Sequence, residues 1–211
     1  MGLYFHKTPM WLQKMYSGLT WSIDSLDKTI YLTFDDGPIP EVTSFVLNQL
    51  KQYDAKATFF CVGHNIEKYP LEFNEILEKG HSIGNHTFNH LIGWNTSTAQ
   101  YLENTEKCQK EIEKHIGIKK KRLFRPPHGR ISRTQIAVLK RDYDIVMWTY
   151  LTGDFDISLE KENCLKKAVM NTQDNDVVVF HDSLKAYKKL SFVLPEFLKH
   201  FSKQGFQFKA I

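Results

Sequence analysis

Two acidic residues follow an apolar run of the sequence at the point where a turn begins. The run Thr29–Phe34 has the β-branched and aromatic residues of a strand, and Asp35 and Asp36 come directly after it, before Gly37-Pro38. Adjacent side chains of a regular strand point to opposite faces, so both carboxylates can enter one pocket only where the strand ends. A turn alone accounts for the Asp-Gly-Pro segment but does not require two acids. The pair therefore indicates a chemical role.

A pair of histidines suggests a metal site. His86 and His90 are four residues apart, and on one helical turn or in a tight loop this spacing brings both imidazoles to one side. Thr87 occupies the position at which zinc proteases of the His-Glu-x-x-His type carry their base, so a base must come from elsewhere. With Asp36, the histidines make a set of two imidazoles and one carboxylate. Such a set suits a catalytic zinc ion and also ferrous iron.

Four further polar residues could supply acid–base chemistry. Asp35 is the natural base for a metal-activated water that attacks a carbonyl, and Arg125 would hold this acid ionised. His181 could protonate a leaving nitrogen, and Asp154 could keep it charged. A lone histidine that ends an apolar strand is usually a core residue. We favour a catalytic role for His181 because of the groups expected beside it.

The elements that must position these residues alternate between extended and helical patterns. Seven runs predict strands: Thr29–Phe34, Ala57–Val62, His81–Asn85, Leu123–Arg125, Ile145–Trp148, Val177–His181 and Phe206–Lys209. Six stretches between them have apolar residues at helical spacing: Glu41–Tyr53, Leu71–Lys79, Thr98–Ile116, Ser132–Arg141, Ser158–Asn171 and Leu184–Gln204. The alternation predicts an α/β fold with parallel strands, either a barrel or an open doubly wound sheet.

The candidate residues all lie near the carboxyl ends of these predicted strands. In parallel α/β folds the strand-to-helix loops meet at that edge and carry the functional groups. The residues come from five segments of the chain: Asp35, Asp36, His86, His90, Arg125, Asp154 and His181. We therefore expect them to share one rim of the fold.

Length, charge and cysteine content exclude several classes of protein. A chain of 211 residues, 42% hydrophobic, predicts one globular domain, and we expect a monomer. A formal net charge of +4 and one short basic run, Lys119–Arg122, do not indicate nucleic-acid binding, and the run is expected to be a solvated loop. Cys61, Cys108 and Cys164 have no spacing that predicts a zinc site or a disulfide framework. No apolar run is long enough for a transmembrane segment.

The first 28 residues are expected to form an N-terminal segment, with the catalytic domain spanning residues 29–211. Thr8-Pro9, followed by Trp11, Met15 and Leu19, predicts a short amphipathic helix near residues 9–19. We favour packing of this helix on the body of the protein over docking on a membrane surface. The sequence as written has no secretory signal, which predicts a cytoplasmic location.

In their order along the chain, these motifs resemble the five motifs of the polysaccharide deacetylase family, the NodB-homology group or carbohydrate esterase family 4. The resemblance covers roughly residues 29–210 and rests on Thr33–Pro38, the His86/His90 pair, Arg125-Pro126-Pro127, Asp154 and Val179-Phe180-His181. It implies a distorted (β/α)7 barrel and the removal of acetyl groups from N-acetylated, less readily O-acetylated, carbohydrate. Members of the family are often exported.

The resemblance also implies a role for each candidate residue. Asp36, His86 and His90 would hold one divalent ion, zinc first, with cobalt, nickel or manganese as alternatives. Asp35 would be the base and His181 the acid. Arg125 would orient Asp35, and Asp154 would tune His181. The acetylated glycan is expected to contact five further residues: Pro127, His128, Trp148, Phe155 and Val179.

Two residues depart from the family pattern near the expected acetyl pocket. His128 stands where the family usually has Tyr, and Phe155 where it usually has Trp. The family's aromatic residue gives a backbone N–H to the oxyanion, which His128 can also supply. Phe155 keeps an apolar wall without an indole N–H. These departures leave the metal site intact but affect which substrate fits the pocket. Peptidoglycan, chitin-type oligomers and acetylated xylan are the alternative substrates.

Two other functions could use the same residues. A non-catalytic sugar-binding relative would usually have lost a metal ligand or the base, and this sequence retains all of them. An iron oxygenase could use the same two histidines and one carboxylate. The family resemblance and the acid–base pair argue against the oxygenase.

Overall fold

The computed structural model describes residues 4–118 and 122–211. Its strands are β1 (Thr29–Asp35), β2 (Thr58–Cys61), β3 (Ser82–Asn85), β4 (Arg122–Phe124), β5 (Tyr143–Ile145), β6 (Tyr150–Leu151), β7 (Val177–His181) and β8 (Gln207–Lys209). Its α-helices are α1 (Met10–Met15), α2 (Val42–Gln52), α3 (Gly63–Lys68), α4 (Pro70–Glu78), α5 (Thr98–Ile116), α6 (Arg133–Leu139), α7 (Lys161–Asn171) and α8 (Leu184–Ser202). Two 3-10 turns lie at Gly93–Asn95 and Pro127–Gly129.

All strand pairs of the sheet are parallel, in the order β5-β4-β3-β2-β1-β7-β6. The short strand β8 pairs with the first half of β1, at Thr29–Tyr31, and β2 pairs with the second half, at Thr33–Asp35. The curved sheet forms a half-barrel with helices outside. This confirms the predicted single-domain α/β fold of the (β/α)7 barrel type.

The N-terminal segment covers the opening between the two edge strands. Lys7 forms an antiparallel bridge with Tyr150 of β6, and the Thr8 N–H donates to the Thr149 carbonyl at 2.9 Å. Further along, Thr20 forms a parallel bridge with Val146, just beyond β5. Backbone groups that two edge strands would leave open are thereby paired. The domain boundary after residue 28 stays a prediction.

Strand β1 is the centre of the structure, and every one of its residues is buried. Ile30, Leu32 and Phe34 face the main apolar cluster, which includes residues of α2 and α8. Tyr31 faces the barrel interior, beside Phe60 and other apolar residues. Burial on both faces explains the nearly continuous apolar sequence of β1, which is typical of a central parallel strand.

Most element predictions agree with the structure to within a few residues. Helix α5 has the predicted bounds because Ser97 caps its start and Gly117, at φ 66°, ends it. The predicted strand Ile145–Trp148 is wrong by about two residues, since β5 is Tyr143–Ile145. Two short elements were not predicted, β6 and α3, because segments of two and six residues show too little periodicity.

Four remaining predictions concern the N-terminal helix, the basic run, the cysteines and a membrane-spanning segment. Helix α1 is confined to Met10–Met15 and has no buried residue. Residues 119–121 of the basic run lie outside the described residues, while Arg122 begins β4 and its guanidinium lies 2.8 Å from Glu113 Oε1. All three cysteines are free and buried. Within the described ranges no helix combines the length and the apolar character needed to cross a bilayer.

Candidate active site

The carboxyl ends of the parallel strands meet at one rim, and the seven candidate residues lie there. The sheet register places Asp35 beside His181 on one side and beside Phe60 on the other. In the neighbouring strands, Asn85, the residue before His86, pairs with Phe124, the residue before Arg125. The structure thus brings together the residues that the sequence placed after separate strands.

The loop after β1 turns both acids toward the same space. Asp36 has a φ of 87°, which breaks the alternation of the strand, and its carbonyl accepts from Asn65 Nδ2 at 2.7 Å. The Gly37-Pro38 peptide that follows is cis. Both acids approach one imidazole: His86 Nε2 lies 4.0 Å from Asp35 Oδ2 and 3.8 Å from Asp36 Oδ1.

The two histidines are held by a tight loop rather than a helix. Thr87 and His90 both have positive φ, 62° and 54°. The side chain of Asn85 accepts from the Thr87 N–H at 2.9 Å, and Thr87 Oγ1 accepts from the Leu91 N–H at 3.0 Å. His86 Nδ1 lies 2.8 Å from the Arg125 carbonyl. This contact turns His86 Nε2 toward the carboxylates.

Asp36, His86 and His90 form a donor set that fits a divalent ion. One ligand atom from each residue lies within 4.8 Å of the others, and His90 Nε2 is 3.2 Å from Asp36 Oδ1. Burial lowers the pKa of His86 to about 4, so its imidazole is neutral at pH 7. Burial opposes ionisation of Asp36, but the hydrogen bond to His90 and nearby imidazoles hold the pKa of Asp36 well below its usual range. A neutral imidazole with its second nitrogen on a backbone carbonyl is typical of metal ligands.

Asp35 is paired with a fully buried arginine. Arg125 Nη1 donates to Asp35 Oδ1 at 2.8 Å and to Thr33 Oγ1 at 2.7 Å. Its other donors reach the carbonyls of Val146 and Met147 at 3.1 and 2.8 Å. Burial lowers the pKa of Arg125 and the Asp35 carboxylate opposes this shift. Because a guanidinium stays protonated in proteins, Arg125 places a permanent positive charge beside Asp35.

His181 is paired with Asp154 on the opposite side of the rim. The Asp154 carboxylate accepts from the His181 N–H at 2.7 Å and lies 2.8 Å from His181 Nδ1. Burial by itself lowers the pKa of His181, but the charge and hydrogen bond of Asp154, with further contributions from the charges of Asp36 and Asp35, outweigh it and raise the pKa to about 9. With Nδ1 engaged by Asp154, Nε2 is the nitrogen that remains available for a substrate.

The five residues predicted to contact substrate differ in exposure. His128 is exposed, Trp148 and Phe155 are half-buried, and Pro127 and Val179 are buried. The His128 ring lies 4.9 Å from that of His90, and the Phe155 ring 4.9 Å from that of His181. Although His128 is exposed as a residue, partial desolvation of its imidazole, together with the nearby His90, lowers its pKa. Contact between these residues and a substrate stays a prediction.

Backbone strain is concentrated at this rim. Of the non-glycine residues with positive φ, four belong to the site, namely Asp36, Thr87, His90 and His128. Such conformations cost of order 1–3 kcal/mol each and persist where surrounding contacts impose them. The strain indicates a functional constraint on these loops.

Sequence reasoning missed a buried acid behind the site. Asp182 is fully buried, and its carboxylate accepts from the Gly37 N–H at 3.0 Å and from Thr43 Oγ1 at 2.7 Å. Burial, with a further contribution from the charge of Asp36, raises the pKa of Asp182 to about 8. Asp182 therefore pins the turn after Asp36. Its position directly after His181, at a strand end, repeats the pattern of Asp35-Asp36 and could have identified it.

The chain is similar to known deacetylases over most of its length. The family described as polysaccharide deacetylase matches residues 23–144, more than half of the chain. A peptidoglycan-N-acetylglucosamine deacetylase of Bacillus cereus is 34% identical over 92% of this chain and 91% of its own length. The structure of the peptidoglycan deacetylase PdaC from Bacillus subtilis is 29% identical, with a TM-score of 0.80 and 90% coverage of both chains.

A more distant neighbour shows what the fold alone leaves open. A Bacillus anthracis pseudoenzyme of carbohydrate esterase family 4 is 21% identical, with a TM-score of 0.80 over 90% of this chain and 66% of its own. The barrel therefore occurs with and without activity, and the site residues must be considered with it. On its family match and its similarity to named deacetylases, this chain belongs to the polysaccharide deacetylase family.

Proposed function

We propose that the protein hydrolyses the acetamido group of N-acetylated carbohydrate, and O-acetyl groups less readily. One observation carries the proposal: an anchored acid–base pair, Asp35 with Arg125 and His181 with Asp154, flanks the metal-binding set. Similarity to peptidoglycan-N-acetylglucosamine deacetylases supports a glycan with N-acetylglucosamine units as the substrate class.

Asp36, His86 and His90 would hold one divalent ion, zinc first, with cobalt, nickel or manganese as alternatives. When bound, the ion supplies Lewis acidity that activates water and polarises the acetyl carbonyl. The donor set supports this assignment because two imidazoles and one carboxylate leave coordination positions open.

Asp35 acts as the base. As a water oxygen attacks the acetyl carbon, Asp35 takes the proton from that water. The Arg125 guanidinium, 2.8 Å from Asp35 Oδ1, leaves Oδ2 as the oxygen that faces His86 and the metal-binding set. This division explains why the site needs two adjacent acids with different partners.

His181 acts as the acid. The carbon–nitrogen bond can break only when the leaving nitrogen gains a proton, which His181 Nε2 donates, so the products are acetate and the sugar amine. Asp154 keeps the imidazolium form available at neutral pH by raising the pKa of His181 to about 9. The backbone N–H of His128 is the candidate donor to the developing oxyanion.

Acetate release from a panel of glycans tests the proposal. Purified protein should release acetate from N-acetylglucosamine oligomers or peptidoglycan and contain about one equivalent of metal. His86→Ala and His90→Ala should each lose the acetate release and the bound metal, because two remaining protein ligands seldom retain a catalytic metal. His200→Ala, which changes a half-buried histidine in the last turn of α8, is the matched control and should keep both the acetate release and the metal.

The same assay separates the alternatives. Glycan binding without acetate release from any substrate would favour a non-catalytic sugar-binding protein. Oxygen consumption by an iron-loaded sample would favour an oxygenase. A full equivalent of metal with normal turnover in His86→Ala would remove this residue from the metal site.

A further inference from the structure

The N-terminal residues 4–8 reach the active site, although they lie outside the region matched by the family. These residues, here called the N-terminal arm, run antiparallel to β6. The His6 carbonyl accepts from the Leu151 N–H at 2.7 Å, and His6 Nδ1 lies 3.0 Å from the Leu151 carbonyl. Lys7 Nζ forms an ion pair with Asp176 Oδ2 at 2.6 Å. The arm is therefore fixed to the barrel next to the segment that carries Asp154.

Tyr4, at the start of the arm, contacts the loop that follows Asp154. Its hydroxyl donates to Asp156 Oδ2 at 2.9 Å, and its ring centroid lies 5.2 Å from that of Phe155. A Cβ at Gly153, whose φ is 77°, would lie 2.8 Å from both Tyr4 Oη and His6 Cε1. The arm thus closes directly onto the loop, and Gly153 allows this close approach.

Phe155 transmits this contact to His181. Its ring lies edge-on to the His181 imidazole, with centroids 4.9 Å apart, while Asp154 holds Nδ1 of the same imidazole. Phe155 is itself half-buried, and besides Tyr4 and His181 its ring has Lys185 Nζ at 5.8 Å from its centroid. Without Tyr4, the ring would lose its neighbour on the arm and could leave the His181 imidazole.

We propose that Tyr4 is a positioning residue, which holds Phe155 against His181 so that Nε2 of the acid stays aimed at the leaving nitrogen. This inference rests on the proposed function. The hydroxyl of Tyr4 is committed to Asp156, so Tyr4 acts through Phe155 and has no contact with the reacting atoms.

The test compares variants of the full-length, metal-loaded protein on two substrates with different leaving groups. Tyr4→Ala should lower kcat on an N-acetylglucosamine oligomer by roughly ten- to a hundredfold, since small displacements of a catalytic group have effects of this size. KM should change little. An activated aryl acetate should lose less rate, because a phenolate leaves without protonation. Tyr4→Phe keeps the ring and should retain most of the activity.

Two controls separate positioning from general damage. Phe5→Ala removes the neighbouring side chain of the arm, which is 49% exposed, and should behave as wild type. In a Phe155→Ala background, Tyr4→Ala should have almost no further effect, because the residue through which it acts is gone. Unchanged kcat in Tyr4→Ala, equal losses on both substrates, or full additivity with Phe155→Ala would overturn the inference.

Failure of the proposed function would be distinguishable from failure of this inference. If wild-type protein releases no acetate from any glycan, the proposed function fails. The imidazole ¹⁵N signals of His181 then decide the inference: they should shift or broaden in Tyr4→Ala and stay in place in Tyr4→Phe and Phe5→Ala. Signals unchanged in Tyr4→Ala would overturn it.

Discussion

The two anchored pairs of the rim, Asp35 with Arg125 and His181 with Asp154, are built differently. Arg125 is fully buried and Asp35 5% exposed, whereas the imidazole of His181 is 14% exposed above a fully buried Asp154. The partner of the proposed base, Asp35, is a guanidinium that cannot lose its proton, while the proposed acid, His181, must titrate to work. Under the proposed mechanism, the charge beside Asp35 is therefore fixed, and His181 sets the upper pH limit of activity.

Removal of Arg125 should have the largest effect. Arg125→Met leaves Asp35 as an uncompensated buried charge and should lower the free energy of unfolding by about 3–5 kcal/mol, with loss of activity. Urea denaturation measures this. The double variant Arg125→Met/Asp35→Asn should recover part of the stability because the unpaired charge is gone. A single variant as stable as wild type would contradict a structural role for the pair.

Asp35→Asn should separate the base from the neighbouring metal ligand. The change keeps the shape but removes the proton acceptor, so turnover should fall at least ~100-fold while bound metal remains. Asp36→Asn is the matched variant and should lose metal. Metal analysis beside steady-state kinetics checks both, and the opposite pattern would reverse the two assignments.

His181→Ala should depend on the leaving group. An amine needs a proton more than a phenolate does, so the loss should be about 100-fold or more on an acetamido sugar and smaller on an activated aryl acetate. Parallel kinetics on the two substrates measure the difference. Equal losses would indicate that the proton comes from elsewhere, with His128 as the first candidate.

Asp154→Asn should move only the upper, high-pH limb of the pH–rate profile. Activity needs the imidazolium form, so it should fall as pH rises through the His181 pKa of about 9. Without the Asp154 carboxylate, the upper limb of the profile should shift to lower pH by about 1–3 units. The lower limb, which depends on Asp35 and the metal-activated water, should stay in place. A pH–rate profile checks the shift, and an unmoved upper limb would argue against the pair.

Asp182 lies behind the site, on Gly37 and Thr43, and should affect folding stability rather than turnover. Its pKa of about 8 in the folded state is above its ordinary value near 4, so the unfolded chain ionises first as pH rises. Folding stability should therefore fall between pH 4 and 8, with a contribution of up to about 1.4 kcal/mol per pH unit. Asp182→Asn should remove this contribution. Thermal unfolding measured at several pH values checks it, with exposed Asp27→Asn as the control.

Much of the site could be predicted because covalent order determines which residues follow each strand. When strands alternate with helices, parallel pairing brings their carboxyl ends to one edge, and Asp35, His86, Arg125 and His181 must then converge. The spacing of His86 and His90 likewise implies two imidazoles on one side. Amphipathic stretches such as α5 revealed the layers that cover the sheet.

Only the tertiary structure decided how each of these groups is oriented. Contacts between separate segments determine the left-handed φ of Asp36 and the orientation of His86, whose Nδ1 lies on a backbone carbonyl. Similar contacts place Thr33 beside Arg125 and Asp182 beside the turn after Asp36. Arg125 is 90 residues from Asp35, and Tyr4 is 152 residues from Asp156. Local periodicity reports on neighbours within a few turns, so contacts across such separations are specified by the packing of the whole barrel.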